Sequence, residues 1–94
     1  MDKPKFRRLE ARFLRQLNEL DPVGIYHADD NQEYLGEVHW LLLTLPGLVD
    51  EKELAKEFSV RLHFQFGVTL KAERLDTIVA RLWGVWSRSS ASAG

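Results

Sequence analysis

Apolar residues recur at steps of three and four near the start of the chain, with arginines on the remaining sides. This period is typical of an amphipathic helix that buries one face. The apolar positions of this segment are Phe6, Leu9, Phe13, Leu17 and Leu20. Pro4 suits a helix start, and the residue before Pro22 avoids the helical conformation. We therefore predict a first helix from about Lys5 to Leu20.

The second apolar segment, EYLGEVHWLLLTLPGL, starts at Glu33 and is apolar on most sides. A helix of this kind is surrounded by neighbouring elements, so we predict that it is the central helix of the fold. Pro46 and Gly47 end it. Gly36 inside this helix costs up to ~1 kcal/mol relative to alanine, and we interpret it as a sign of close helix packing.

The third segment combines a clear helix start with an ambiguous continuation. Asp50 and Glu53 have the spacing of a capping box, in which each side chain accepts a hydrogen bond from the other residue's backbone amide. The following FSVRLHFQFGV alternates apolar and polar residues, as a half-buried strand does. We predict a helix, because an i, i+4 apolar row runs through it and no second strand is visible to pair with it. That row consists of Leu54, Phe58, Leu62 and Phe66.

The last apolar segment keeps helical steps from Leu75 to Trp86. Gly67 can supply the left-handed cap of the preceding helix, and Thr69 can cap the start of this one. The polar sequence SRSSASAG that follows has nothing to bury. The chain is thus predicted to be all-α, a single small four-helix, bundle-like domain over residues 1–86 with short connections. Residues 87–94 are predicted to form a disordered tail.

Composition narrows the class of protein further. Ninety-four residues suffice for a single hydrophobic core, and the three tryptophans are expected to help fill it. The chain has no cysteine, which excludes disulfides, thiolate nucleophiles and thiol-bound metal centres. Charges run through the N-terminal segment, unlike a secretion signal, and no apolar run approaches the length of a membrane span. We expect a cytoplasmic protein that does not cross a membrane.

Charge is segregated along the chain although the net charge is only −1. Six lysines and arginines precede Glu19, and no further one follows until Lys52, whereas acids accumulate between them. Part of this accumulation has a structural explanation, because Asp30 and Glu33 repeat the capping-box spacing just before the second helix. The remaining acids can steer a positively charged partner.

We therefore predict a non-enzymatic protein-interaction module that binds a basic protein through an acidic surface around residues 21–37. This surface comprises the acidic connection between the first two helices and the start of the second helix. Charge complementarity of this kind accelerates association, and buried aromatic side chains slow dissociation. Tyr26 and Tyr34 are the candidate aromatic anchors. The predicted contact residues are Asp21, Tyr26, Asp29, Asp30, Glu33, Tyr34 and Glu37.

A metal-dependent or enzymatic protein centred on His27, Asp29 and Glu33 is the first alternative. Its residue types suit a cation, but the spacing matches neither an EF-hand loop nor a histidine pair of a zinc or di-iron helix. The chain also has no nucleophile elbow, phosphate-binding loop or dinucleotide-binding motif. We therefore expect no enzymatic activity, cofactor or metal.

Nucleic-acid binding through the first helix is the second alternative. Lys5, Arg8, Arg12 and Arg15 lie close to one helical stripe that can follow phosphates. No recognition motif accompanies the stripe, and the acidic middle of the chain repels a duplex. This alternative ranks below a protein partner.

Short motifs in the middle of the chain resemble a family of small uncharacterised bacterial proteins. They are LDPVGIY at residues 20–26, the pair Glu33-Tyr34 at a helix start and the pair Phe66-Gly67 at a helix end. The resemblance implies a small helical bundle, and some members of that family are similar to immunity proteins encoded beside toxins. The family positions here are Asp21, Pro22, Gly24, Tyr26, Glu33, Tyr34 and Gly67. The basic N-terminal helix and the polar tail lie outside the pattern.

Overall fold

Four α-helices and one short 3-10 helix make up the described part of the computed structural model, which covers residues 2–24 and 32–92. The α-helices are α1 (Lys3–Leu20), α2 (Leu35–Thr44), α3 (Glu51–Phe66) and α4 (Ala72–Ser92), and the 3-10 helix spans Leu45–Gly47. Strands are absent from these ranges. The predicted all-α, four-helix class is therefore confirmed, including the helical assignment of the alternating segment in α3.

Both ends of α1 are capped by aspartates. Asp2 accepts a hydrogen bond from the Lys5 backbone N–H at 2.8 Å, so the helix starts two residues earlier than we predicted. At the other end Asp21 adopts the left-handed conformation, with φ 44°, and its N–H donates to the Leu17 carbonyl at 2.7 Å. Pro22 then prevents further helix, as its position in the sequence predicted.

The start of α2 differs from the prediction. The helix begins at Leu35 with Tyr34 as its N-cap, and no side chain accepts a capping hydrogen bond there. The helix thus starts later than the predicted capping box of Asp30 and Glu33 implied, and the pairing itself stays a prediction because Asp30 lies outside the described residues. Gly36 is exposed with no atom near its missing Cβ, so our interpretation of it as a close-packing position is wrong.

The capping box of α3 is present in a shifted form. Asp50 accepts a hydrogen bond from the Glu53 backbone N–H at 3.0 Å, as predicted. The Glu53 carboxylate, however, accepts from the N–H of Val49 at 2.6 Å, one residue before the cap. Gly67 ends the helix with φ 65°, and its N–H donates to the His63 carbonyl.

The last helix starts later and ends later than predicted. Because α4 begins at Ala72, Thr69 does not cap it, and the Thr69 hydroxyl lies instead 3.4 Å from the His63 ring. The helix continues past Trp86 to Ser92, and Ser89 is buried. The predicted disordered tail, residues 87–94, therefore overlaps the end of α4; residues 93 and 94 lie outside the described residues.

One hydrophobic core receives side chains from all four helices, with α4 packed against α1 and α3, and α1 packed against α2. The row Leu54, Phe58 and Leu62 of α3 is buried in it. All three tryptophans are partly buried and pack against the core. Other fully buried members are Phe13, Leu17, Tyr34, Val38, Leu41, Leu45, Ile78 and Leu82.

Candidate functional site

Tyr34, which we predicted as a surface anchor, is fully buried. Its hydroxyl donates to the Asp21 carboxylate at 2.6 Å and accepts from the Val23 backbone N–H at 3.2 Å. These two hydrogen bonds join the end of α1 to the start of α2. The structure therefore brings two predicted contact residues together, but their contact is an internal one.

The Tyr34 hydroxyl donates its hydrogen bond to Asp21, a residue whose left-handed backbone conformation is unfavourable by itself. A non-glycine residue in the left-handed region costs roughly 1–2 kcal/mol, although aspartate tolerates it better than most. The short hydrogen bond from the buried tyrosine holds Asp21 in this conformation. Asp21 thus ends α1. The carboxylate oxygen that accepts the hydrogen bond from Tyr34 is engaged inside the protein.

Glu37 is the second predicted contact acid that proves to be internal. The residue is only 5% exposed, and Arg61 of α3 donates from Nε to its carboxylate at 2.6 Å. The Arg61 guanidinium also lies 5.7 Å from the ring centre of Trp40, within the range of a cation–π contact. A buried carboxylate requires such a partner, so the pair ties α2 to α3 rather than forming a surface.

The remaining predicted contact residues divide into two groups. Glu33 is exposed at the turn before α2. Tyr26, Asp29 and Asp30 lie outside the described residues, as does His27 of the metal alternative. Within the described ranges, the predicted acidic surface is therefore reduced to Glu33.

The described histidines form separate contacts. His39 Nε2 lies 2.6 Å from the Glu10 carboxylate, and this contact links α2 to α1. His63, near the end of α3, lies beside the Thr69 hydroxyl instead. Across residues 2–24 and 32–92, no three histidine, aspartate or glutamate side chains come together in a group that could hold a metal ion. These contacts supply neither a metal centre nor an acid–base pair in a pocket.

A groove of about 780 Å³ lies along the N-terminal half of α1 and reaches Ser89 of α4. Lys5, Arg8 and Arg12 of the predicted stripe line it together with Asp2, and Arg15, the fourth cation of the stripe, does not. None of the three forms an ion pair with another described residue. Among the described residues, the cations of this groove and the exposed Glu33 are thus the predicted charged groups that remain accessible to a ligand.

The outer side of α3 carries exposed apolar side chains that sequence reasoning missed. Phe64 is 87% exposed and Val60 is 59% exposed, one helical turn apart. They explain the strand-like alternation of this segment: Phe58, Leu62 and Phe66 face inward, and the apolar residues between them face outward. The signal was therefore present as a second i, i+4 row on the same helix.

The helices and contacts described above define a small all-α protein with four helices around one core. A scan against models of known protein families finds no match, and searches of curated proteins and of solved structures return no similar protein. The bacterial family resemblance therefore depends on its short motifs alone. No helix in the described ranges combines the length and the apolar character that crossing a membrane requires.

Proposed function

We propose that this chain is a non-enzymatic protein-interaction module that binds a protein through the outer face of α3. This face is defined by five exposed residues, Lys56, Glu57, Val60, His63 and Phe64. The observation that carries the proposal is the exposure of Phe64 and Val60 on one side of a helix whose opposite side is already in the core. We place the interaction in the cytoplasm, since the chain contains no cysteine.

Exposed aromatic residues are favourable contact points for a partner. A phenylalanine supplies a large apolar area with few rotatable bonds, so its burial at an interface gains more than it loses in side-chain entropy. Phe64 makes little contribution to the core from its exposed position. The polar neighbours on the same face keep the free protein hydrated and can form the rim of an interface.

A narrower form of this proposal names a basic protein as the partner of the acidic connection, as the immunity-like resemblance implies. It depends on the exposed Glu33 together with Tyr26, Asp29 and Asp30. Asp21, Tyr34 and Glu37 no longer support it, because their polar atoms are engaged inside the protein. Acids at this surface would mainly increase the association rate with a basic partner.

Affinity capture from native lysate tests both forms. Phe64→Ser should lose the captured partner, and Leu43→Ser should retain it. Leu43 is a matched control because it is 84% exposed but lies on α2. Retention of the same partner by Phe64→Ser would exclude the outer face of α3. The double variant Asp29→Lys/Asp30→Lys tests the acidic connection separately, and undiminished capture by it would remove the basic-partner form.

Nucleic-acid binding is a second candidate function, favoured by the groove that Lys5, Arg8 and Arg12 line. Three cations along one groove, none of them ion-paired with another described residue, can displace counterions from a phosphate backbone. A gel shift should then weaken with salt, and Arg8→Ala/Arg12→Ala should reduce the salt slope by about 1.8 for duplex DNA. The control Lys3→Ala/Arg7→Ala removes the same charge from the same helix, at two positions that lie outside both the groove and the predicted stripe. No shift at low salt would exclude this function.

A further inference from the structure

We propose that the groove between α1 and Ser89 of α4 binds a small molecule that carries at least two phosphate groups. This inference goes beyond the interaction proposed for α3, because it concerns a different part of the molecule. It rests on the second candidate function only in that both ligands present phosphates to the same cations. It narrows the ligand of the groove from a nucleic-acid polymer to a small polyanion.

The size of the groove fits a small molecule. Its volume of about 780 Å³ lies within the range of roughly 300–1,000 Å³ that is typical of small-molecule pockets. A cube of this volume has an edge of roughly 9 Å, which is narrower than the major groove of B-DNA at about 12 Å. A nucleic-acid duplex therefore contacts the rim of the groove, whereas a small molecule can enter it.

The lining of the groove carries a net positive charge. Lys5, Arg8 and Arg12 lie on successive turns of α1, over about 10 Å of the helix axis. Asp2 is the single carboxylate among the described lining residues, so three cations against one anion leave a net charge of +2. A ligand with one anionic group engages one turn of this series, whereas linked phosphates can engage two or three.

The two arginines of the groove suit phosphate in particular. A guanidinium donates two parallel hydrogen bonds to a phosphate, and Arg8 and Arg12 lie one helical turn apart. Neither arginine forms an ion pair with another described residue, so ligand binding breaks no such pair. A phosphate monoester carries a charge of about −1.5 to −2 at pH 7, more than a carboxylate does, and therefore gains more from these cations.

Aromatic side chains are absent from the described lining of the groove. Its remaining residues are Leu9, Ala11 and Ser89. Proteins that bind single-stranded nucleic acid combine a basic groove with aromatic rings on which the bases stack. Because the described lining offers cations without such rings, the phosphate groups of the ligand carry the recognition. This composition favours a small polyphosphate over a single strand.

Asp2 provides a specific signature of anion binding in this groove. Its carboxylate lines the groove and also caps α1, since it accepts a hydrogen bond from the Lys5 N–H at 2.8 Å. The same charge repels a bound anion. Asparagine is as good a cap as aspartate, so Asp2→Asn removes the repulsion and keeps the helix start. This variant should therefore bind a polyphosphate more tightly than the native chain does.

Isothermal titration calorimetry of the full, untagged chain with sodium tripolyphosphate at low salt tests the site. The native chain should bind with a Kd below about 1 mM, and Arg8→Ala/Arg12→Ala should raise the Kd by at least about tenfold. The control Lys3→Ala/Arg7→Ala should change the Kd by less than about threefold, because it removes the same charge outside the groove. Equal weakening by both pairs would overturn the proposal, since the overall charge of the protein would then explain binding.

Two further titrations test the position and the chemistry of the ligand. Asp2→Asn should lower the Kd by about threefold, and Glu19→Gln, which removes an exposed acid near the other end of α1, should not. Citrate should bind the native chain at least about tenfold more weakly than tripolyphosphate. An unchanged Kd in Asp2→Asn, or equal affinity for citrate, would overturn the assignment of this groove to a phosphate ligand.

Fluorescence anisotropy with labelled single-stranded and duplex DNA separates the two ligands of the groove. The native chain should bind tripolyphosphate with a lower Kd per molecule than a strand presenting the same number of phosphates. Binding of DNA through Arg8 and Arg12 without binding of tripolyphosphate would exclude the small molecule and leave nucleic-acid binding in place. Absence of both would exclude both. Circular dichroism of each variant confirms that the helices remain intact.

Discussion

The start of α2 buries polar side chains, whereas the outer face of α3 exposes apolar side chains. At the start of α2, a glutamate is 5% exposed and a tyrosine is fully buried, and both have polar partners at 2.6 Å. On α3, a phenylalanine is 87% exposed one turn from an exposed valine. Residue type alone therefore does not indicate which region contacts a partner.

This difference indicates that the start of α2 contributes to the stability of the fold, whereas the outer face of α3 is available for association. Glu37 and Tyr34 are buried polar groups, and removal of one partner leaves the other unsatisfied inside the protein. Val60 and Phe64 gain little from the fold of one chain, so their loss should be tolerated by the monomer. Variants at the start of α2 should change stability, and variants on α3 should change association.

The largest effect is expected from Arg61→Ala. This variant leaves the Glu37 carboxylate buried without its partner, so the free energy of unfolding should fall by about 3 kcal/mol. Urea unfolding followed by circular dichroism measures the change. The control Glu37→Met/Arg61→Met replaces both charges and should recover most of the loss. A change below about 0.5 kcal/mol in Arg61→Ala would show that the pair is not needed for stability.

Tyr34→Phe should have an intermediate effect of about 1–2 kcal/mol. The substitution keeps the buried ring but removes the hydroxyl, so the hydrogen bond to the Asp21 carboxylate and the one from the Val23 N–H are both lost. The same unfolding measurement gives the change. Asp21→Asn is the matched variant, because asparagine keeps an oxygen acceptor and tolerates the left-handed conformation. A larger loss in Asp21→Asn than in Tyr34→Phe would assign the stabilisation to the carboxylate charge instead.

The helices could be predicted from the sequence because their signals are local. The 3.6-residue period of α1, the Asp50 cap of α3 and the glycine at position 67 each act within a few residues. The start of α2 was harder, because Tyr34 serves as the N-cap position without a capping hydrogen bond. Its side chain is fixed instead by Asp21, thirteen residues earlier in the chain.

The candidate site was predicted less well because burial depends on distant partners. Glu37 shares a side of α2 with Val38 and Leu41, and an acid within an apolar stripe is itself a sign of a buried ion pair. Its partner, Arg61, is 24 residues away. Phe64 is a similar case. Its alternation with the core row was visible in the sequence, but only the fold shows that none of the other described helices covers it.

The smallest effect on stability is expected from Phe64→Ser. The free energy of unfolding should change by no more than about 0.5 kcal/mol, because most of the ring is already in water. Urea unfolding followed by circular dichroism measures the change, and Leu43→Ser on α2 is the control of nearly equal exposure. A large loss in Phe64→Ser would assign Phe64 to the core and remove the contrast with Glu37.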